Sequence, residues 1–304
     1  MMKNVPITQS REWQQLQNDL GEQSFFEKTA DFQYLAIKKP ALVGNYLYCP
    51  YGPVADTPEN FKKALKSLKE LAKRENAFFI RIEPTNPNFT KYLGKNAKKS
   101  TDLNPKETWI LDLTGTDDDL KQKLPSRLLR YYKNREKQGI TIEKSHNPDD
   151  IKYLLDLQKA LAKEKGISTF SENYLKTELK QPFATLYLVK QETGAILAAG
   201  LVFDDGTTRY NLQGAQSDEG RELHATGILT IQLILDAKAA GKKFFDFWGI
   251  APENAPKDHP WQGFTNFKKT FAGYEKSYAG TYDLIENPMK YKFYQFLRKI
   301  RRLI

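Results

Sequence analysis

The chain has 304 residues, 40% of them apolar and 12% aromatic, which is enough for two domains with cores of their own. No run approaches the roughly 18 apolar residues of a membrane-spanning helix, the opening Met1-Met2-Lys3-Asn4-Val5-Pro6 lacks the apolar core of a secretory signal, and a lone Cys49 excludes an intrachain disulfide and points to a reducing, cytoplasmic setting. The formal net charge of +10 fits either a lysine-rich solvated surface or a polyanionic partner such as RNA, anionic lipid or a diphosphate-bearing substrate.

In chain order, strand signals come first at 32–37 and 46–49, the second ended by the turn Pro50-Tyr51-Gly52-Pro53. Thr57 reads as an N-cap with Pro58 at the first helical position. Phe61, Ala64, Leu65, Leu68, Leu71 and Ala72 then recur at helical spacing. A strand at 77–83 stops at Pro84, and another covers 109–113. Helices are expected over 117–138, with a break near Pro125, and over 148–165. Strands at 186–190, 195–203 and 208–212 follow, joined by turns at 192–194 and 205–206. A helix over 225–240 stops at Gly241, and the strand 243–248 comes next. Two α/β runs of like order predict two related domains with a cleft between them.

The stretch 244–283 holds the most chemistry. A strand carrying one acid, Asp246, runs through Trp248 into Gly249, and Lys268 and Lys269 follow among Phe264, Phe267 and Phe271. Phenylalanines that shield Lys268 from water would strengthen its field, suiting it to an oxyanion or a phosphate. The plainer alternative is a surface lysine with a packed stem. Asp246 either orients a partner by hydrogen bonding or caps the strand end. Glu83, before Pro84 at a strand end, is a candidate proton acceptor for an amine. Arg127, Arg130, Asn134 and Lys137 lie three or four apart, a basic helical stripe with Lys133 beside it, which is either a phosphate contact surface or a solvated face. Tyr131 and Tyr132 stack on bases or, the preferred reading, pack. Lys269, Trp248, Tyr210 and Tyr51 complete the substrate-contacting candidates. His146, His224 and His259 are too scattered for a zinc site, so no metal is expected. No nucleophile elbow, phosphate-binding P-loop or dinucleotide glycine pattern is present. In the tail, Phe293, Phe296, Leu297, Ile300 and Ile304 share one side of a helix, with Lys292, Arg298, Lys299, Arg301 and Arg302 elsewhere on it. The apolar side is expected to dock onto the body, the alternative being an anionic membrane surface.

Several motifs together resemble the Fem family (the FemABX group) of peptidoglycan-bridge aminoacyltransferases, over nearly the whole chain. They are Ile7-Thr8-Gln9-Ser10 with Trp13, Pro50-Tyr51-Gly52-Pro53-Val54, Arg81-Ile82-Glu83-Pro84 and the strand at 109–113. The closing set is Asp246-Phe247-Trp248-Gly249-Ile250, Phe267-Lys268-Lys269-Thr270-Phe271 and Tyr278-Ala279-Gly280-Thr281-Tyr282-Asp283. The resemblance implies an α/β (α+β) fold of two tandem GNAT-like domains, 1–107 and 108–282, with a C-terminal helix, 283–304, returning to the first. A long coiled-coil arm has no room between Tyr174 and Leu186. The implied activity moves an amino acid from aminoacyl-tRNA, a co-substrate in place of any cofactor, to a stem-peptide amine of a lipid-linked or nucleotide-linked peptidoglycan precursor. The family's charge-stabilising lysine maps onto Lys268. A cytoplasmic monomer is expected, with contact between 289–304 and the inner membrane face as the alternative to docking of the tail. The competing readings are a coenzyme A-dependent N-acyltransferase and a non-catalytic RNA-binding protein. Against the first, Gln216-Ser217-Asp218-Glu219-Gly220-Arg221 has the wrong spacing for an acetyltransferase pyrophosphate loop.

Overall fold

A computed structural model describes residues 5–165 and 169–301. The chain divides into two units, one taking the residues up to Lys106 and those from Ser277 on, the other Glu107–Lys276.

The first unit runs α1 (Arg11–Asp19), β1 (Ser24–Lys28), β2 (Phe32–Ala41), β3 (Gly44–Cys49), β4 (Val54–Ala55), α2 (Pro58–Arg74), β5 (Ala77–Ile82) and β6 (Ala97–Lys99). The second runs β7 (Glu107–Asp112), α3 (Asp117–Lys123), α4 (Ser126–Asn134), β8 (Ile140–Ser145), α5 (Ile151–Lys165), α6 (Glu172–Leu179), β9 (Ala184–Gln191), β10 (Ile196–Asp204), β11 (Thr208–Gln216), α7 (Asp218–Glu222), α8 (Ala225–Ala239), β12 (Phe244–Gly249), α9 (Gln262–Lys269) and β13 (Tyr274–Ser277). The chain then re-enters the first unit as β14 (Tyr282–Ile285) and α10 (Pro288–Arg301).

The first sheet has the order β1-β2-β3-β5-β14-β6, with β4 paired to β2, and its β3–β5 pair is parallel. That pair requires a crossover, which α2 supplies. Thr57 caps α2 by accepting from the Asn60 amide, and Pro58 opens it, as the sequence predicts. Phe61, Leu65, Leu68 and Leu71 bury α2 against Leu47, Ile80 and Ile82. The second sheet has the order β13-β7-β12-β11-β10-β9-β8, with β11–β12 parallel and crossed over by α8. Its core joins Ile228, Ile231 and Ile234 of α8 to Phe245, Phe247 and Phe271. Each of these side chains, fully buried, contributes about 1.5–3 kcal/mol.

Two expectations change. The domain boundary drawn at 282 gives way: the segment from Ser277 groups with the first unit, and β14 sits between β5 and β6 of its sheet. The reason is a buried cross-strand pair. Arg81 lies opposite Asp283, with Nε to Oδ1 at 2.7 Å and Nη2 to Oδ2 at 2.8 Å, and Tyr291 of α10 donates its hydroxyl to the same carboxylate at 2.9 Å. The tail is also turned over from its predicted phase. Tyr291 and Tyr294 face Phe78 and Phe79, while Phe293, Phe296 and Ile300 are exposed. Within α10 only the tyrosines offer both a ring for that cluster and a donor for Asp283, so they set the face that docks. Ile304, Arg302 and the side chain of Arg301 lie outside the described residues.

Asp283→Ala leaves the Arg81 guanidinium buried without its carboxylate. The expected loss is about 3–5 kcal/mol of stability, read as a lowered midpoint in urea. A loss under about 1 kcal/mol refutes this role for the pair.

Candidate active site

Along β12, Phe245 and Phe247 alternate into the core, which turns Asp246 to the opposite face of the sheet. Between Asp246 (opposite Ile110) and Gly249 (opposite Thr108), β12 advances three residues while β7 advances two. The extra residue is a β-bulge, and Trp248 takes it up at φ +65°, a left-handed conformation that is strained for a bulky side chain. The bulge brings the Trp248 amide 2.7 Å from Asp246 Oδ1, to which it donates.

Asp246 is 2% exposed. Burial pushes its carboxyl up to about 6, against the Trp248 amide and the charges of Lys276 and Lys268, which pull it down. Lys268, near the end of α9, donates from Nζ to the Gly249 carbonyl at 2.6 Å. Burial lowers its ammonium to about 8, with Asp246 opposing the shift. Lys276 of β13 is likewise lowered by burial and held up by Asp246 and Asp205. Tyr210 lies beside Asp246 in register on β11, donates its hydroxyl to Asp205 at 2.7 Å and meets Trp248 edge-on at 6.2 Å. Two lysines and two carboxylates therefore gather around the bulge. At neutral pH Asp246 is mainly ionised and Lys268 mainly charged, so an ammonium with donors beyond the one on Gly249 is held in a desolvated place.

The sequence pointed to Asp246, Lys268, Trp248 and Tyr210, and the structure brings them together. It missed Lys276 and Asp205. Lys276 carries no motif, and Asp205 reads as a turn residue because its Gly206 neighbour dominates the local signal. The predicted phenylalanine cage is incomplete. Phe271 is buried and Phe267 packs against the same core, but Phe264 is exposed. Lys269 diverges from Lys268 and lies over the Trp109 ring at 5.5 Å. Arg127, Arg130 and Lys133 are exposed on α4. Both arginines flank Tyr131, at 5.6 and 5.7 Å from its ring, and Tyr131 stacks on His224 at 4.1 Å. Tyr132 packs as expected, donating its hydroxyl to Gln232.

Glu83 and Tyr51 belong to the first unit, where both are buried structural groups. Glu83 Oε2 accepts from the Tyr48 hydroxyl, the Tyr51 amide and Asn104 Nδ2. Its Oε1 accepts from the Asn104 amide and the Thr281 hydroxyl. Five donors saturate the carboxylate, so it is a clamp on four chain segments and not the proton acceptor expected from its strand-end position. Tyr51 packs at a tilt on Tyr278 at 4.3 Å and donates its hydroxyl to the Pro105 carbonyl, which ties the ring into the structure instead of presenting it to substrate. Among the described residues, no group of His, Cys, Asp and Glu could hold a metal ion.

Sequence and structure comparisons agree with this architecture. The FemAB family model matches residues 176–299. The lipid II:glycine glycyltransferase of Staphylococcus haemolyticus is 21% identical, over 88% of this chain and 83% of that protein. The crystal structure of FemX superposes with a TM-score of 0.81 at 20% identity, covering 96% of this chain and 95% of that one. A tandem GNAT protein from the clavulanic acid biosynthesis pathway gives 0.51 at 13% identity, covering 86% and 82%. The fold is thus that of the tandem GNAT-like α/β proteins. Within that class, the chain is similar to the Fem family its motifs resemble, through the family model over residues 176–299 and the glycyltransferase relative.

The clamp generates a test. Glu83→Gln turns two N–H groups toward a ring of donors, and the expected cost is about 1–3 kcal/mol in urea denaturation. Unchanged stability combined with abolished turnover refutes the clamp and restores the base.

Proposed function

We propose that the chain is an aminoacyltransferase that moves an amino acid from aminoacyl-tRNA to a stem-peptide amine of a peptidoglycan precursor. The observation that carries this reading is the desolvated Lys268 ammonium, anchored on Gly249 and facing the field of Asp246. Relatives named for lipid II and glycine transfer support the substrate class, and make a lipid-linked acceptor the form to test first.

The neutral amine attacks the ester carbonyl of the charged tRNA, and the carbonyl oxygen gains negative charge as the tetrahedral intermediate forms. Lys268 meets that oxyanion with N–H donors fixed in a region of low dielectric. Collapse of the intermediate forms the amide and breaks the ester, and the departing ribose oxygen takes up the proton that the amine sheds. Asp246 does not touch the reacting atoms. It keeps Lys268 charged and, through the Trp248 amide, holds the bulge that presents Gly249. Arg127, Arg130 and Lys133 supply an exposed basic face for the anionic RNA backbone. The segment after β11 favours this reading over coenzyme A. There the Gly220 amide donates to Ser217 Oγ, and the Arg221 and Leu223 amides donate to the Ser217 and Glu219 carbonyls. They are engaged within α7 instead of free for a pyrophosphate.

Purified protein mixed with a pool of charged tRNAs and lipid-linked or nucleotide-linked muropeptide should yield a product heavier by an aminoacyl residue, lost on ribonuclease treatment. Acylation from acetyl-coenzyme A without tRNA overturns the reading. Lys268→Ala should slow turnover by about 10²–10³-fold with the fold intact. Because burial lowers this lysine, its charge is lost as pH rises through about 8 and not near the ordinary 10.5. The ratio of wild-type to Lys268→Ala turnover, in which the titration of the attacking amine cancels, should therefore fall across pH 8, and Asp246→Asn should move that fall lower. A ratio that stays flat through this range counts against Lys268.

A further inference from the structure

The docked phase of α10 leaves an apolar stripe facing outward. Met289, Phe293, Phe296 and Ile300 are 81, 52, 57 and 38% exposed. They recur at i, i+4, i+7 and i+11, which confines them to an arc of about 60° on the helix. The opposite side is the one that docks, through Tyr291. Lys292 and Lys299 border the stripe on one side and Lys290 on the other, all three exposed. No acidic residue occurs from Pro288 to the end of the sequence.

A second apolar group lies on the same unit. Leu42, in the turn between β2 and β3, is 79% exposed, and its neighbours Ala41 and Val43 pack against the Phe78, Phe79 and Tyr291 cluster on which α10 rests. The turn and the helix are thus set on one foundation, each with large apolar side chains in water. Scattered exposed apolar residues are ordinary, but an ordered stripe rimmed by cations marks a contact surface.

We infer that α10, with Leu42 beside it, is a docking surface for an anionic phospholipid bilayer, on which the helix lies flat. Charge complementarity selects this occupant. Phenylalanine, methionine and isoleucine side chains enter the boundary between headgroups and acyl chains, while the flanking lysines reach anionic headgroups. A protein groove would have to match the stripe with acidic walls on both sides, whereas an anionic membrane offers that pattern everywhere. The inference does not depend on the transfer reaction, and binding alone tests it.

The experiment is sedimentation with vesicles. The wild-type chain should pellet with phosphatidylglycerol-containing vesicles at least about tenfold more strongly than with phosphatidylcholine alone, and less as salt rises. Phe293→Ser with Phe296→Ser should abolish the difference at an unchanged melting temperature, since both side chains are exposed. Lys292→Glu with Lys299→Glu should abolish it independently, and decides the matter if the first variant fails to fold. Equal pelleting with both vesicle types overturns the proposal, as does undiminished pelleting by a folded Phe293→Ser, Phe296→Ser variant. A wild-type dimer in solution that this variant dissociates also overturns it, by showing that a second copy covers the face.

Discussion

A carboxylate buried at the end of an aromatic strand sets the chemistry of the second unit. Asp246 is held by the Trp248 backbone amide, with the Thr108 hydroxyl nearby, and that amide is in reach because β12 carries an extra residue opposite β7. The bulge forces Trp248 into a left-handed conformation, which costs on the order of 1–2 kcal/mol for a residue other than glycine. In return, a negative charge stands where Lys268 and Lys276 are partly desolvated. Removing either lysine from water without it would favour the neutral amine. The acid, the strained tryptophan and the two lysines are one electrostatic unit.

The first unit uses its buried acids in another way. Glu83 accepts from five donors and Asp283 from three, and each gathers chain instead of preparing chemistry. Asp283 joins β5, β14 and α10 through Arg81 and Tyr291, while Glu83 joins β3, the turn after it, and the segments around Asn104 and Thr281. An acid whose lone pairs are mostly met by fixed donors has little capacity left for substrate. An acid with one backbone amide, and with the Thr108 hydroxyl and two ammonium groups nearby, retains more. Partner type thus separates the two structural acids from the one proposed to act at the site, although all three are almost fully buried.

That distinction also explains what could be read from residue order. The α2 helix was legible because its cap, its opening proline and its apolar period agree within a short window. Asp246 and Lys268 were legible because aromatic residues frame them locally. Glu83 was not, since its donors come from positions 48, 51, 104 and 281, and strand-end position carries no record of them. Lys276 escaped notice for the same reason. The phase of α10 was misread because the helix has two apolar faces, one of tyrosines and one of phenylalanines and aliphatics. Hydrophobic period cannot rank them, and the choice falls to the Asp283 carboxylate some residues away, which accepts a hydroxyl and has no use for a phenyl ring.

The position of β14 has a consequence for biosynthesis. Arg81 and its partner Asp283 are 202 residues apart in the chain, with the whole second unit between them. At about 5–20 residues per second, a ribosome takes roughly 10–40 s to cover that interval. Throughout it, β5 and β6 lack the strand that joins them, and a guanidinium meant for the interior has no carboxylate to meet. The inserted unit, contiguous in the chain, can mature during this wait. The first unit is begun first but completed last, and in that window it is the part that nascent-chain chaperones have most reason to hold.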